Sequence, residues 1–193
     1  HNLGEIVDGL VALIDQPDLD AEGLLRIVKG PDFPTGGTIF RSEDQRNSLT
    51  GDKERVDVIR HMYATGRGRV VIRGQVAFEE NERGRISVVI TELPYQVNKT
   101  TLIEKMAELV GSKRITDVSD IRDESDRTGM RIVVEMKRDG SPHTVMQQLF
   151  KHTALQTSFS ANMLALVDGQ PLTLGLKRML EHYVTYRREV VRR

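Results

Sequence analysis

Two arginines on either side of one glycine are the first residues of this chain whose types and spacing could do chemistry. Arg67 and Arg69 belong to the run Gly-Arg-Gly-Arg at residues 66–69. A guanidinium group is planar and always charged, so it binds phosphate oxygens through forked hydrogen bonds. The run therefore predicts a contact with phosphate groups, and a solvated turn is the alternative interpretation.

The start of a predicted helix over residues 97–110 is the second candidate. The N–H groups at a helix N terminus attract anions, and Lys99 and Thr100 add donors there. Capping of the helix by Asn98 is the alternative interpretation. Further basic pairs are Lys113–Arg114 and Arg187–Arg188. Backbone contacts of this kind bind nucleic acid in a salt-sensitive way and without sequence preference.

An acidic run near residue 120 is a candidate for metal binding. It contains the carboxylates of Asp120, Asp123, Glu124 and Asp126. Divalent cations do bind several carboxylate oxygens. Arg122 and Arg127 interrupt the run, however, and its spacing lacks the glycine and the distal glutamate of a calcium loop. We therefore predict a loop with local ion pairs and caps, and no metal site in this chain.

Composition narrows the class of protein. The chain has 28 basic and 28 acidic residues, whereas a free-standing nucleic-acid binder is usually basic overall. Acidic residues dominate residues 1–32 and basic residues dominate 177–193, which allows one basic face on a neutral protein. There is no cysteine, no glycine-rich nucleotide motif and no apolar run near the ~20 residues of a membrane span. We expect a piece of a longer cytoplasmic polypeptide with no membrane partner.

The hydrophobic pattern predicts helices interleaved with strands. Predicted helices cover residues 3–14, 20–29, 54–64, 97–110, 141–152 and 172–193. Predicted strands cover residues 38–40, 69–79, 85–91, 130–137 and 162–167, with a hairpin turn at 81–84 and a break at 170–171. Residues 42–53 and the stretch around Asp120 are predicted loops. The expected fold is α+β, a two-layer sandwich of a mainly antiparallel sheet with helices, ending in the start of a long helix.

Five strings carry a family resemblance. DIRDESDRTGMRIVVEMKRD at residues 120–139 resembles a signature of the A subunit of bacterial type IIA topoisomerases, DNA gyrase above all. Four further strings resemble the same family and occur in the same order along the chain. They are GPDFPTGG at 30–37, TGRGRV at 65–70, ELPYQVNKTTLIEKMAELV at 92–110 and NMLALVDGQP at 162–171. Agreement of five ordered strings makes coincidence improbable, and the resemblance runs from His1 to Arg193.

The resemblance implies a particular piece of that enzyme. Residues 1–171 would form the tower domain, with an exposed insertion at about 41–57, and residues 172–193 would begin the long helix toward the coiled coil. The tower would support and bend the gate DNA through Arg67, Arg69, Asn98, Lys99, Thr100, Lys113 and Arg114. The parent enzyme would be an A-subunit homodimer with the gyrase B subunit (A2B2), which supplies Mg²⁺ and ATP for negative supercoiling of double-stranded DNA.

The resemblance also implies that this fragment does not cleave DNA. The family's nucleophile is a tyrosine that follows an arginine, and none of the four tyrosines here stands in that motif. Tyr63 and Tyr95 are predicted to pack in the core and in a turn. Two alternatives stay open: the same domain of the topoisomerase IV A subunit, and a structural spacer or protein-contact module without DNA contact.

Overall fold

The fold is α+β, as predicted. The computed structural model describes residues 1–46, 51–80 and 84–193. Its helices are α1 Leu3–Asp15, α2 Ala21–Ile27, α3 Val58–Thr65, α4 Lys99–Gly111, α5 Pro142–His152 and α6 Leu176–Arg192. Its strands are β1 Thr38–Ile39, β2 Ser42–Arg46, β3 Lys53–Asp57, β4 Arg67–Arg73, β5 Gln75–Glu80, β6 Ile86–Glu92, β7 Val118–Asp123, β8 Ile132–Met136, β9 Gln156–Asn162, β10 Leu164–Val167 and β11 Gln170–Thr173. All the strand pairs whose register is described are antiparallel.

The chain divides into two compact units. The first unit comprises His1–Asp32, Phe40–Val70 and Ser158–Arg193. The second comprises Phe33–Ile39 and Val71–Thr157. The predicted two-layer sandwich corresponds to the second unit, which contains a four-stranded sheet of order β5-β6-β8-β7 together with α4 and α5.

The core of the second unit forms because apolar residues alternate along its strands. Side chains at every second position of a strand point to the same face. In β6 and β8 the core-facing residues are Val88, Ile90, Ile132, Val134 and Met136. They form one buried cluster with Leu102, Met106 and Leu109 of α4 and with Val145 and Leu149 of α5. Burial of one such side chain stabilises the fold by about 1.5–3 kcal/mol, so this cluster holds the sheet and its helices together.

Helices dominate the first unit. Side chains of Asn2, Asp20 and Asp57 accept hydrogen bonds from the backbone N–H groups of the first turns of α1, α2 and α3. Such caps stabilise a helix start by about 1 kcal/mol each. The buried residues of this unit include Leu24, Val28, Ile59, Met62 and Leu180. An apolar groove of about 520 Å³ runs between α1 and α6, lined in part by Val7, Val11, Tyr183 and Val191.

The region between residues 41 and 57 differs from its prediction. The sequence pattern predicts a loop over 42–53 and a helix from residue 54, but β2 and β3 form an antiparallel pair and α3 begins at Val58. Asp57 ends the strand and starts the helix, because its Oδ1 accepts a hydrogen bond of 2.9 Å from the backbone N of Arg60. Part of the predicted insertion, residues 47–50, lies outside the described residues.

The predicted strand over residues 69–79 is two strands. It breaks at Gly74, where the backbone N donates a 2.8 Å hydrogen bond to the carbonyl of Leu155. A Cβ at Gly74 would lie 2.5 Å from the Glu92 carbonyl oxygen, so only glycine fits this approach. The predicted pairing of the second half with residues 85–91 is confirmed by β5 and β6. Residues 81–83 of the predicted turn lie outside the described residues.

Two further segments predicted as irregular are strands. The stretch around Asp120 is β7, which pairs antiparallel with β8 and places Asp120 opposite Glu135. The predicted break at 170–171 is also wrong, because Gln170 and Pro171 belong to β11, which pairs with β10. As a result α6 begins at Leu176 rather than at residue 172. Proline is tolerated in β11 because this two-stranded ribbon has an open edge.

The predicted starts of α4 and α5 are confirmed. Asn98 caps α4, and Ser141 caps α5 with Pro142 at its first position. Within the described ranges, no helix combines the length and the apolar character that crossing a bilayer requires.

We predict that Gly66→Ala destabilises the first unit far more than Gly169→Ala. Both glycines have a positive φ, +77° and +76°. Alanine in that conformation costs about 1–2 kcal/mol. A Cβ at Gly66 would also lie 2.3 Å from the Leu174 carbonyl oxygen, whereas nothing lies within 4 Å at Gly169. Urea unfolding of both variants measures the difference, and equal losses would contradict the packing assigned to Gly66.

Candidate nucleic-acid interface

Arg67 and Arg69 lie on β4 rather than in a solvated turn. Gly68 between them faces α3, since a Cβ there would lie 2.8 Å from the Cβ of Met62. Alternate residues of a strand point to opposite faces, so both arginines point away from α3. Both are exposed, and within the described part of the chain neither side chain has a hydrogen bond or an ion pair.

The residues before the two arginines fix their position. Gly66 ends α3 in the left-handed conformation, and its backbone N donates a 2.8 Å hydrogen bond to the carbonyl of Met62. Its own carbonyl accepts a 2.7 Å hydrogen bond from the N of Met163. Thr65 Oγ1 donates to the carbonyl of His61 at 2.8 Å and accepts from the N of Arg67 at 3.2 Å. The two arginines therefore directly follow a helix C-cap whose backbone is fixed by hydrogen bonds to α3 and to Met163.

The N terminus of α4 is occupied by groups of the chain itself. Asn98 Oδ1 accepts a 3.0 Å hydrogen bond from the N of Thr101, which is the predicted capping alternative. Lys99 Nζ lies 2.8 Å from Asp123 Oδ2. The bonds from Lys99, then those from Ser125, lower the pKa of Asp123 to about 2. The charge of Lys99 is therefore already neutralised by Asp123. Thr100, the remaining predicted residue at this helix start, is exposed.

Lys113 and Arg114 follow the other end of α4. Both are exposed, and neither side chain has a hydrogen bond or an ion pair within residues 84–193. The 13 residues of α4 span about 20 Å, so this pair is far from Asn98 and Lys99. The predicted backbone-binding residues therefore form three separate groups: Arg67 and Arg69 in the first unit, and the two ends of α4 in the second.

The acidic run forms the predicted ion pairs, but on a strand. Arg122 Nη1 lies 2.7 Å from Glu135 Oε2 and 3.1 Å from Asp120 Oδ2, and Arg122 Nε lies 3.3 Å from Glu124 Oε1. Arg131 Nε lies 3.2 Å from Glu124 Oε2. Arg85 Nη1 lies 3.2 Å from Glu135 Oε1, and the hydrogen bonds from Arg122 and then from Arg85 lower the pKa of Glu135. We call this set of residues the outer-face network, because it lies on the face of the sheet opposite the core.

A second part of the outer-face network reaches β5. Arg131 donates from Nη1 to Glu79 Oε1 at 2.8 Å, and this bond lowers the pKa of Glu79. The charges of Arg122 and Arg131 are therefore matched by carboxylates of their own sheet. Arginines held in this way are poorly placed to bind a phosphate, because they would first have to release a carboxylate. Sequence analysis predicts the local ion pairs but not their place on a sheet, because the stretch that contains Asp120 is predicted to be a loop.

The carboxylates near Asp120 do not suit a divalent cation. Asp120, Asp123 and Glu124 each accept from an arginine or a lysine. Asp126 Oδ1 accepts hydrogen bonds from Thr128 Oγ1 at 2.5 Å and from Thr128 N at 2.7 Å. These bonds, the side-chain bond first, lower the pKa of Asp126. Among the residues that the structure describes, no group of three or more histidine, aspartate and glutamate side chains has the geometry of a metal site.

Tyr63 and Tyr95 are placed for packing. Tyr63 is buried, its Oη lies 2.8 Å from His1 Nε2, and burial raises its pKa well above the ordinary value. Because the hydroxyl is buried and its pKa is raised, Tyr63 is placed for packing beside His1 and not for attack on a DNA strand. The ring of Tyr95 stacks on Phe33 with centroids 5.1 Å apart. Tyr183 and Tyr186 are exposed on α6.

Comparison with known proteins identifies the family. The family model that describes the A subunit of DNA gyrase/topoisomerase IV matches residues 1–193. The DNA gyrase A subunit of Pseudomonas aeruginosa is 50% identical over 195 residues, which cover 100% of this chain and 20% of that protein. The DNA gyrase A subunit of Clostridium acetobutylicum is 46% identical over 193 residues, with 100% and 22% covered. The DNA topoisomerase 4 A subunit of Synechocystis is 44% identical over 200 residues, with 100% and 20% covered.

The chain therefore belongs to the family of DNA gyrase/topoisomerase IV A subunits, and the predicted family is confirmed. It spans about a fifth of the length of these relatives. The ordered strings carried this prediction, whereas charge and composition alone argued against a nucleic-acid partner.

We predict that Lys99→Met raises the pKa of Asp123 toward its ordinary value of 3.8. Because the folded-state pKa is lowered, the bond stabilises the fold above pH 3.8 and this contribution is lost as the pH falls through about 2. Carboxyl NMR titration measures the shift. Lys105→Met is the matched control, because Lys105 belongs to the same helix but pairs with Glu108 at 2.7 Å. An unchanged pKa of Asp123 in Lys99→Met would contradict the ion pair.

Proposed function

We propose that this chain is the DNA-supporting tower of a gyrase-type A subunit, and that it holds the gate DNA through backbone contacts without cleaving it. The observation that carries the proposal is the contrast between two sets of arginines. Arg67 and Arg69 are exposed and unpaired on β4, within the described residues, whereas Arg122 and Arg131 are paired with carboxylates. Unpaired guanidinium groups held by a strand suit phosphate oxygens.

Contacts with the DNA backbone can offset the free energy that bending the gate DNA costs. Bending a short duplex costs on the order of 1–6 kcal/mol by elastic estimates. Each phosphate that is neutralised releases counterions, which favours the bound state at low salt. Lys113 and Arg114 are secondary candidates for the same role, because both are exposed without side-chain partners in the described residues. Lys99 is a weaker candidate, because it is bound to Asp123.

Membership of the family supports a proposal for the parent assembly. We propose an A-subunit homodimer with a B subunit that supplies ATP and Mg²⁺, acting on double-stranded DNA in the cytoplasm. The tower would comprise residues 1–171, with the exposed insertion at about 41–57, and residues 172–193 would lead into the coiled coil. Gyrase is favoured over topoisomerase IV, because the two relatives of higher identity among the three compared are DNA gyrase A subunits.

A structural spacer is the second candidate function. The equal numbers of acidic and basic residues favour it, since a neutral chain has little long-range attraction for DNA. A spacer needs no unpaired arginines, so removal of Arg67 and Arg69 distinguishes the two functions.

We predict that Arg67→Ala/Arg69→Ala lowers the affinity of the chain for long duplex DNA. Loss of two phosphate contacts should reduce the slope of log K against log[salt] by about 1.8, because each contact contributes about 0.9. Fluorescence anisotropy from 50 to 200 mM salt measures the slope. An unchanged slope in this variant would support the spacer.

Arg122→Ala/Arg131→Ala is the matched control. It removes the same formal charge, but from arginines whose charge is already compensated by Glu124 and Glu135. Its slope should remain close to that of the unmodified chain. Cleavage of DNA by the isolated chain would overturn the proposal that it acts only as a support.

A further inference from the structure

Strand β9 lies beside β4, the strand that carries the two exposed arginines, in a sheet of order β1-β4-β9. Two backbone hydrogen bonds define how β4 and β9 pair. Met163 N donates to the carbonyl of Gly66 at 2.7 Å, and Gly74 N donates to the carbonyl of Leu155 at 2.8 Å. From the first bond to the second, the chain advances eight residues on one strand and goes back eight on the other. The two strands are therefore antiparallel, and their register does not shift between these bonds.

This register places Asn162 beside Arg67 and Ser160 beside Arg69. Hydrogen-bonded pairs alternate along an antiparallel ladder with pairs that are not hydrogen-bonded, and Gly66 with Met163 is a pair of the first kind. Arg67 with Asn162 and Arg69 with Ser160 are therefore of the second kind, in which the Cα atoms are about 4.5 Å apart and the side chains are closest. Each arginine thus has a neutral hydrogen-bonding side chain as its cross-strand neighbour.

The face formed by these four residues is open to solvent. Along β9 the residues Ser158, Ser160 and Asn162 are exposed, whereas Phe159 and Ala161 between them are partly buried. Cross-strand neighbours in a sheet lie on the same face. Ser160 and Asn162 therefore point away from α3, together with the two arginines.

Both neutral side chains can donate hydrogen bonds outward. Asn162 Oδ1 accepts a 3.1 Å hydrogen bond from Thr173 Oγ1. The amide oxygen is therefore occupied, and the two N–H groups on Nδ2 remain as donors. In the part of the chain that the structure describes, neither these N–H groups nor the hydroxyl of Ser160 has a hydrogen-bond partner. An anion on this face could accept from neutral donors as well as from guanidinium groups.

We propose that Ser160 and Asn162 donate hydrogen bonds to DNA phosphates beside Arg69 and Arg67. We call these four residues the β4–β9 surface. The inference rests on the proposed function and adds two neutral donors to it. Serine and asparagine side chains bind phosphate oxygens in DNA complexes, as arginine does. The two arginines are two residues apart on a strand, which is about 6.8 Å and close to the spacing of successive phosphates along one DNA strand.

A DNA backbone suits the β4–β9 surface better than an acidic protein does. Protein interfaces are anchored by apolar or aromatic side chains at their centre, whereas DNA interfaces are polar and positively charged. The four residues include no apolar side chain and no carboxylate. The exposed leucines of β10, Leu164 and Leu166, come only after Asn162, where the polar surface ends.

The sequence contained little signal for this surface. Its pattern predicts a strand over residues 162–167, whereas β9 already begins at Gln156. Only the pairing with β4 brings Ser160 next to Arg69, and residues so distant along the chain have no local pattern in common.

The test is the affinity of Ser160→Ala/Asn162→Ala, in the full 193-residue chain, for long duplex DNA across the same salt series. Neutral donors release no counterions, so the affinity should fall on the order of tenfold at every salt concentration while the slope of log K against log[salt] stays unchanged. Arg67→Ala/Arg69→Ala lowers the slope. One measurement therefore distinguishes the neutral contacts from the charged ones.

Two single variants sharpen the test. Ser158→Ala removes the same hydroxyl from the same face of β9, but past the residue that stands beside Arg69, and should lower the affinity much less than Ser160→Ala. Asn162→Asp keeps an oxygen to accept the 3.1 Å hydrogen bond but places a carboxylate beside Arg67. Because that carboxylate neutralises one phosphate-binding charge, the slope should fall by about 0.9.

The outcomes separate this inference from the proposed function. If Arg67→Ala/Arg69→Ala lowers the slope but Ser160→Ala/Asn162→Ala leaves the affinity unchanged, the inference is wrong and the proposed function stands. If the unmodified chain has no salt-dependent affinity for duplex DNA, both are wrong. If Ser160→Ala/Asn162→Ala weakens binding to polyglutamate but not to DNA, the inference is wrong and the surface serves an acidic protein.

Circular dichroism melting checks that each variant is folded. If the double variant does not fold, Ser160→Ala tests the inference alone, because the Ser160 side chain makes no hydrogen bond within the described residues. An affinity for DNA equal to that of Ser158→Ala would then overturn the inference.

Discussion

The alternation of side chains along β8 is the constraint on which the second unit depends. Ile132, Val134 and Met136 point into the core, and Glu135 points to the outer face between β6 and β7. One strand therefore organises both the apolar packing and the outer-face network. The packing holds the fold, because exposed ion pairs contribute only about 0–1 kcal/mol each. The outer-face network determines instead that Arg122 and Arg131 already have carboxylate partners.

The distinction between paired and unpaired cations leads to the functional account. In a chain with 28 acidic and 28 basic residues, net charge says nothing about where an anion could bind. Arg122 is surrounded by three carboxylates, whereas Arg67 and Arg69 stand on a strand whose other face is packed against α3. The unpaired arginines are therefore the ones that we assign to DNA phosphates. Tyr63, buried and with a raised pKa, adds no cleavage chemistry to this surface.

Much of the fold could be predicted from local patterns, and the errors of that prediction have a common cause. The helix caps at Asn98 and Ser141 were predictable because a capping side chain bonds within three residues. The strands β2, β3 and β7 were missed because they carry mostly polar residues and are specified by their partners rather than by their own apolar alternation. For the same reason the sequence identified Lys99 as a basic residue but could not show that Asp123 already binds it.

The most direct test is the affinity of the chain for two duplexes of equal length and unrelated sequence, measured across a salt series. An account based on backbone contacts predicts equal affinities for both duplexes, and a steep, identical loss of affinity as salt increases. A clear preference for one sequence, or an affinity that does not change with salt, would contradict it.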